Sequence, residues 1–446
     1  MALAAAGREP DRGGLGEASL AESLTVLGAG VIPALVRGLF SPRPKAMKLL
    51  TSRDADGRAV RELTKLRRKH GGQGLKLLGG RLVVLWGEPA IREVLDHSAE
   101  VYAGNAGAKA RGMSHFQPDA LTMSYGDEWH DRRQFNEAVL AARESLHPFA
   151  GRFLTVVAEE VEALGIGHRL VWPDWERLFD HITLRVIFGD SARTDYALTA
   201  RLERLMGEAN RLVGLSPNDA YYEFYGALER YLQSPAPECL IGQIAQAPHG
   251  DATRVVQQIP HWMFAMRDTL AANAFRALAT IVADDAVGRR VHEEIDAAEL
   301  TDPTAIDGLS YLGGCLHEAM RLWPTTPLLA RESKRETTLA GEQLDEGTQV
   351  LMLNVFNHRD AEHVDDANRL IPERWRELTD DYRFNHLSHG TQDCPGGALV
   401  LLLGKAVLGQ MLKRHHLTLE HPQLPPGGDL PYMLNFFETR FSVRPR

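Results

Sequence analysis

Apolar positions recur along this chain at helical rather than strand spacing for most of its length. Residues 126–140 (GDEWHDRRQFNEAVL) read as a helix, and amphipathic stretches follow at about 149–164, 173–188, 194–214 and 219–233. The segment 259–284 is the longest apolar candidate, and its length suits a central, nearly buried helix. Shorter patterns break the series. GRLVVLWG at 80–87 reads as a strand, followed by a helix at PAIREVLDHS. After Glu336 the run TTLAGEQLDEGTQVLMLNVFNHRD alternates in short pieces around Gly341 and Gly347, as a small sheet would. No internal repeat and no Pro/Gly/Ser linker divides the middle. The pattern predicts a mainly α fold with minor β. One domain would span 23–446 around a long central helix, after a flexible segment at 1–22 that lacks apolar periodicity.

The most apolar stretch near the start, 24–40, is short for a bilayer and is interrupted by Gly28, Gly30, Pro33 and Arg37. It reads as a docking or interfacial helix rather than a span, and the first residues lack the regions of a signal peptide. A cytoplasmic protein is the expectation. The 446 residues, 44% of them apolar, suffice for a large core. A net charge of −9 argues against a general nucleic-acid binder. Three scattered cysteines are too few for a disulfide framework.

One of them raises a chemical question. Cys394 lies between the polar loop FNHLSHGTQD and an apolar run, ALVLLLGKAVLG, at helical spacing. Pro395 suits a first helical turn, so the thiol would sit at the positive end of a helix, which lowers its pKa and favours thiolate. Gly396 and Gly397 leave room for a bulky group against the backbone. Three readings compete: an inert buried cysteine, zinc held with His386 and His389, and an axial thiolate ligand to haem iron. Elsewhere, Glu318 and Arg321 in LHEAMRLWP stand three apart on one helix face, a spacing shared by ordinary surface pairs. Arg374 in RLIPERW is, alone, an ordinary loop arginine.

In combination and order, the ExxR pair, the PERW segment about fifty residues on and the Gly-bearing cysteine loop resemble the cytochrome P-450 family. The resemblance implies that family's fold, haem b (iron protoporphyrin IX) as cofactor, Cys394 as the metal ligand, and a structural triad of Glu318, Arg321 and Arg374. It implies haem-propionate contacts from Trp129 and Arg133 (WxxxR), Arg331, His115 and Gln392, with Ala265 and Gly396 beside the cofactor. In AMRDTLAA, Asp268 and Thr269 match the acid and alcohol of the oxygen-activation stretch and are the candidate catalytic residues; a solvated Asp and a back-bonded Thr are the plain alternative.

The cysteine loop departs from the family's FxxGxRxCxG, with Leu387 for the Phe and Gln392 for the Arg, and Met266 replaces the usual Gly beside the acid. The resemblance implies a monooxygenase, hydroxylating or epoxidising a mid-sized lipophilic substrate with dioxygen. Electrons would come from NAD(P)H through a ferredoxin and its reductase. Substrate contacts would come from 104–123, 210–225, 325–329 and 432–437. A monomer in bacterial natural-product tailoring is the expected setting. Arg132, Lys405, Lys413 and Arg414 are candidate docking charges for an acidic redox partner. A peroxide-driven peroxygenase, an isomerase, or a non-catalytic haem or carrier-protein-binding module are the alternatives.

Overall fold

The computed structural model describes residues 13–376 and 380–446. The predicted helices are present with bounds shifted by a few residues: Asp127–Val139, Ala150–Ala163, Trp172–Phe188, Tyr196–Ala209 and Asp219–Gln233. Their inward faces, with the central and cysteine helices, form one large apolar cluster that includes Phe135, Phe153, Trp175 and Phe179. Within it the Trp175 Nε1 donates to the Ala271 carbonyl at 2.9 Å, which fixes the central helix on its neighbour Trp172–Phe188.

The strands collect mostly in one six-stranded sheet. Its order is Leu15–Glu17, Gly74–Leu77, Leu82–Leu85, Gln349–Leu353, Leu328–Ser333 and Tyr102–Ala103. Leu82–Leu85 pairs in parallel with Gln349–Leu353, so the two strand patterns read from distant parts of the sequence meet side by side. The run after Glu336 supplies a two-stranded ribbon, Thr337–Leu339 with Glu342–Leu344, as well as Gln349–Leu353.

Two expectations change here. Of the segment expected to be flexible, residues 1–12 lie outside the described residues, whereas Leu15–Glu17 pairs with Gly74–Leu77 as an edge strand and buries Leu15. Ser19 then caps the next helix, exchanging hydrogen bonds with Glu22 in a capping box. Backbone pairing and capping were invisible in apolar periodicity because they depend on main-chain groups. Secondly, the apolar stretch expected at 24–40 runs as a continuous helix over Leu20–Arg37. Among the described residues it is the one helix long and apolar enough to cross a membrane, by length and composition. One side packs on the sheet, where a Cβ at Gly30 would lie 2.6 Å from Leu353 Cδ2, while Leu20, Leu24 and Ile32 remain exposed.

Candidate active site

The ExxR helix, Ser310–Leu322, places Glu318 and Arg321 on its buried face, and both side chains are fully covered. Arg321 donates from Nε and Nη2 to the two carboxylate oxygens at 2.6 and 2.8 Å. Its remaining donors reach the carbonyls of His358, Ala367 and Arg369. A buried ion pair is sustained only when its leftover hydrogen-bonding groups are satisfied, and this one meets that condition. Glu318 also accepts from the Ile371 amide at 2.8 Å and the Trp375 indole at 3.0 Å, while Arg374 Nε stands 3.5 Å away. The pair therefore ties the helix to the PERW segment rather than decorating a surface. Gly314 permits the approach: a Cβ there would meet the Pro372 carbonyl at 2.3 Å.

The cysteine loop is pinned from both sides. Gly390 adopts φ +66°, and a Cβ would strike the Leu95 carbonyl at 2.3 Å, so only glycine fits. Thr391 donates to the Ser98 carbonyl at 2.7 Å and the Cys394 amide to that of Leu387 at 2.9 Å. The helix begins at Gly397 with Gly396 as its N-cap, so Pro395 lies just outside the first turn where it was expected. Burial pushes the Cys394 thiol up, against the Gly396 amide that points at the sulfur; desolvation, with Asp393 adding to it, outweighs that amide and Arg133, opposite to the lowered pKa read from the sequence. A bound metal cation reverses that balance and deprotonates a coordinating thiol. Among the described residues no three His, Cys, Asp or Glu side chains form a metal cluster, and His386 instead bonds His317 at 3.0 Å; the zinc reading is set aside.

Trp129 and Arg133 lie one turn apart on Asp127–Val139, with Trp129 buried. Arg133 clamps the residue before the thiol. It donates to the Asp393 carbonyl at 2.6 Å, pairs with the Asp393 carboxylate, and binds Glu137 at 2.6 Å. His115 stands apart: its Nε2 bonds Glu208 at 2.9 Å on the helix Tyr196–Ala209, and its Nδ1 is buried without a partner. Of the expected docking charges, Arg132 and Lys405 are buried, held by Ser124 and by the Asp307 carbonyl, which removes them from any partner surface.

A cation missed by sequence reading lies beside the loop. Lys109 donates to Thr122 Oγ1 at 2.6 Å and the Thr122 carbonyl at 3.0 Å, and desolvation, with Arg331 nearby, pulls its pKa down to about 7. Arg331 donates to Ser98 Oγ at 3.0 Å, and burial lowers it to about 10. Among the described residues neither has a carboxylate within ion-pair distance. A Cβ on Gly104 would lie 3.0 Å from Gln392 Oε1 and 3.5 Å from Lys109 Nζ, so the lysine adjoins the position where the family's arginine is replaced. Two desolvated cations without a counter-ion, Lys109 half-buried and Arg331 buried, are costly alone and suit a ligand bearing carboxylates, as haem does. The residues present fit the group. Lys109 was legible only as one more surface lysine, because nothing local links it to residue 392.

The central helix is continuous over Ile259–Ala283 but carries a π turn at Ala265–Leu270, centred on the acid and alcohol. Such turns widen a helix locally and are frequent at functional sites. Asp268 Oδ1 accepts from Arg267 at 2.8 Å, while Oδ2 is buried and unpartnered. Arg267 also faces Asp180 at 2.5 Å, Glu203 at 3.3 Å and Glu176 at 3.8 Å. One guanidinium thus serves four carboxylates. Desolvation raises Asp268 to about 7, Arg267 opposing and the other three acids adding to it. Asp268, Thr269 and Ala272 line a cavity of about 920 Å³ together with Asn210, Thr325, Phe436 and Phe437, from three of the four segments expected to contact substrate; residues 104–123 are not in its lining. Residues 37–47, which the sequence reading left out, line it as well, with Trp172, Glu176, Glu203 and Phe264.

The family model for cytochrome P-450 matches residues 240–434. The chain is 27% identical over 222 residues to "Probable cytochrome P-450 4d20" of Drosophila melanogaster, covering 46% of this chain and 42% of that protein. It is 22% identical over 377 residues to "Cytochrome P-450 81F2" of Arabidopsis thaliana, covering 75% and 77%. To "Putative cytochrome P-450 136" of Mycobacterium tuberculosis it is 22% identical over 342 residues, covering 70% of each. The chain spans less than half the length of the first curated relatives it matches, 42% and 33%. With a family model matching residues 240–434, relatives of this name and a helical fold locked by the buried Glu318–Arg321 pair, the chain is similar to the cytochrome P-450 family.

Proposed function

We propose that this protein is a haem-dependent monooxygenase that hydroxylates or epoxidises a mid-sized lipophilic substrate. The observation that carries the reading is a half-buried cysteine in a pinned loop, with half-buried Lys109 and buried Arg331 nearby and, among the described residues, no carboxylate within ion-pair distance of either. Cys394 would hold the iron, and Lys109, Arg331, Gln392 and Trp129 the propionate edge of haem b. When bound, the haem supplies dioxygen activation, its thiolate ligand favouring O–O cleavage. The chain's own residues handle binding, exclusion of water and protons. Asp268, raised to about 7, is partly protonated at neutral pH, and its free Oδ2 offers a site from which to pass the proton, with Thr269 also lining the cavity as the hydrogen-bond anchor. Arg267 holds the other carboxylate oxygen and so fixes which one is available.

Electrons reach the site from NAD(P)H through a ferredoxin and its reductase, in a cytoplasmic monomer working in natural-product tailoring. The test is turnover of a panel of mid-sized lipophilic compounds under isotope-labelled dioxygen with a surrogate ferredoxin and reductase. One labelled oxygen atom in the product supports the reading. Product formed with peroxide but never with reductase contradicts it in favour of a peroxygenase.

A further inference from the structure

Along the cavity wall one charge has no counterpart. Arg276, two turns beyond Asp268 on the central helix, is 7% exposed. Its Nε and Nη1 donate to the carbonyls of Leu434 and Trp323 at 3.3 and 2.9 Å, and the guanidinium lies 5.1 Å from the Phe436 ring centroid. Among the described residues no carboxylate lies within ion-pair distance of it. Its nearest charges are Arg37 and Asp56. Asp56 is already paired with Arg37 Nη2, and Arg37 Nε is buried with no acceptor. The carboxylate that acts on Arg276 is therefore already committed to Arg37. Burial, with Arg37, pulls Arg276 down to about 9, the sign of a charge the fold does not compensate. Such a charge is expensive unless a ligand supplies its partner.

Two turns back along the same helix the charge is of the other sign. Glu176, Glu203 and Asp268 gather there around Arg267, an acidic excess that repels an anion. The cavity is also lined by apolar Trp172, Phe264, Ala272 and Phe436. The mouth carries exposed Arg43 and Lys45, which attract an anion from solution. Thr269 and Arg276 are separated by about 10 Å along the helix axis, from a rise of about 1.5 Å per residue. We propose that Arg276 binds the carboxylate of an amphipathic organic acid, whose apolar body lies along Ala272 and the aromatic lining so that the carbon to be oxidised sits near Thr269. This rests on the monooxygenase reading, which makes the cavity the substrate site.

The test uses the haem-loaded protein and two matched pairs: dodecanoic acid with dodecanol, and abietic acid with its primary alcohol, abietinol. Binding is read by calorimetry and by the ligand-induced spin-state shift. At least one acid is expected to bind wild type about tenfold or more tighter than its alcohol. Arg276→Met should abolish that preference while leaving alcohol binding in place, and Arg276→Lys should retain part of it. Equal binding of acid and alcohol, no acid binding at all, or preference unchanged in Arg276→Met overturns the proposal. A thiolate-type spectrum with carbon monoxide that persists alongside such a failure leaves the monooxygenase reading standing. Loss of that spectrum in wild type removes both.

Discussion

Lys109 carries a charge that the folded chain does not balance, and its chemistry is decided by what sits beside it. With the side chain desolvated and Arg331 near, the lysine pKa falls to about 7, so the haem-free protein resists its protonation. Replacing it with Met should leave the haem-free fold as stable or more so near pH 6, where the wild-type side chain is charged. It should also speed haem release to apomyoglobin about tenfold, the loss of one charge-assisted contact. Unchanged release in Lys109→Met would remove it from the propionate site. Asp268 gives a pH signature. Its pKa is raised to about 7 from an ordinary 3.8, so the protonated form is available below pH 7 and is lost as pH rises through 7. Turnover should fall above that pH, and Asp268→Asn should lower it about a hundredfold and flatten the profile. A wild-type profile flat between pH 6 and 8 would contradict the assignment.

At the scale of elements, the ExxR helix and the PERW segment form the joint that holds the cysteine loop's neighbourhood. Glu318→Gln would leave Arg321 buried without its charge partner, at a cost of about 3–5 kcal/mol, visible as a lower denaturant midpoint. Gly314→Ala, which pushes a methyl group toward the Pro372 carbonyl, should cost at least about 1 kcal/mol by the same measurement. The helix pattern and the order of motifs made this joint legible in the sequence: Glu318 and Arg321 sit at a helical spacing, and Arg374 follows in a proline-bearing segment. What could not be read was burial. A surface pair and a fully covered one share the same spacing, and the difference lies in the carbonyls of residues 358, 367 and 369 that converge on Arg321. The π turn at Ala265–Leu270 was equally hidden, because apolar spacing around Asp268 fits an ordinary helix as well.

Across the whole molecule, charges were read least well. Arg132 and Lys405 looked like surface cations but are held inside by local acceptors, while residues 37–47 reach the cavity from far away in sequence. The same long-range logic governs Glu160. Desolvation alone would raise its pKa, but hydrogen bonds from His181, Arg193 and Arg185 together hold it well below the usual carboxylate range. A depressed carboxylate stabilises the fold above its ordinary pKa, and that contribution drains away as pH falls below about 4.5. Glu160→Gln should therefore be less stable than wild type at pH 7, with the gap closing under acid; an equal gap at pH 7 and pH 3 would contradict this.

Every functional step proposed depends on the Cys394 sulfur binding haem iron. The most direct measurement is the absorption spectrum of the dithionite-reduced protein with carbon monoxide, taken for wild type and Cys394→Ala. A Soret band shifted to the thiolate-ligated position in wild type and absent from the variant is the predicted result. A wild-type protein that binds no haem, or whose spectrum is that of histidine-ligated iron and is unchanged in Cys394→Ala, would contradict it.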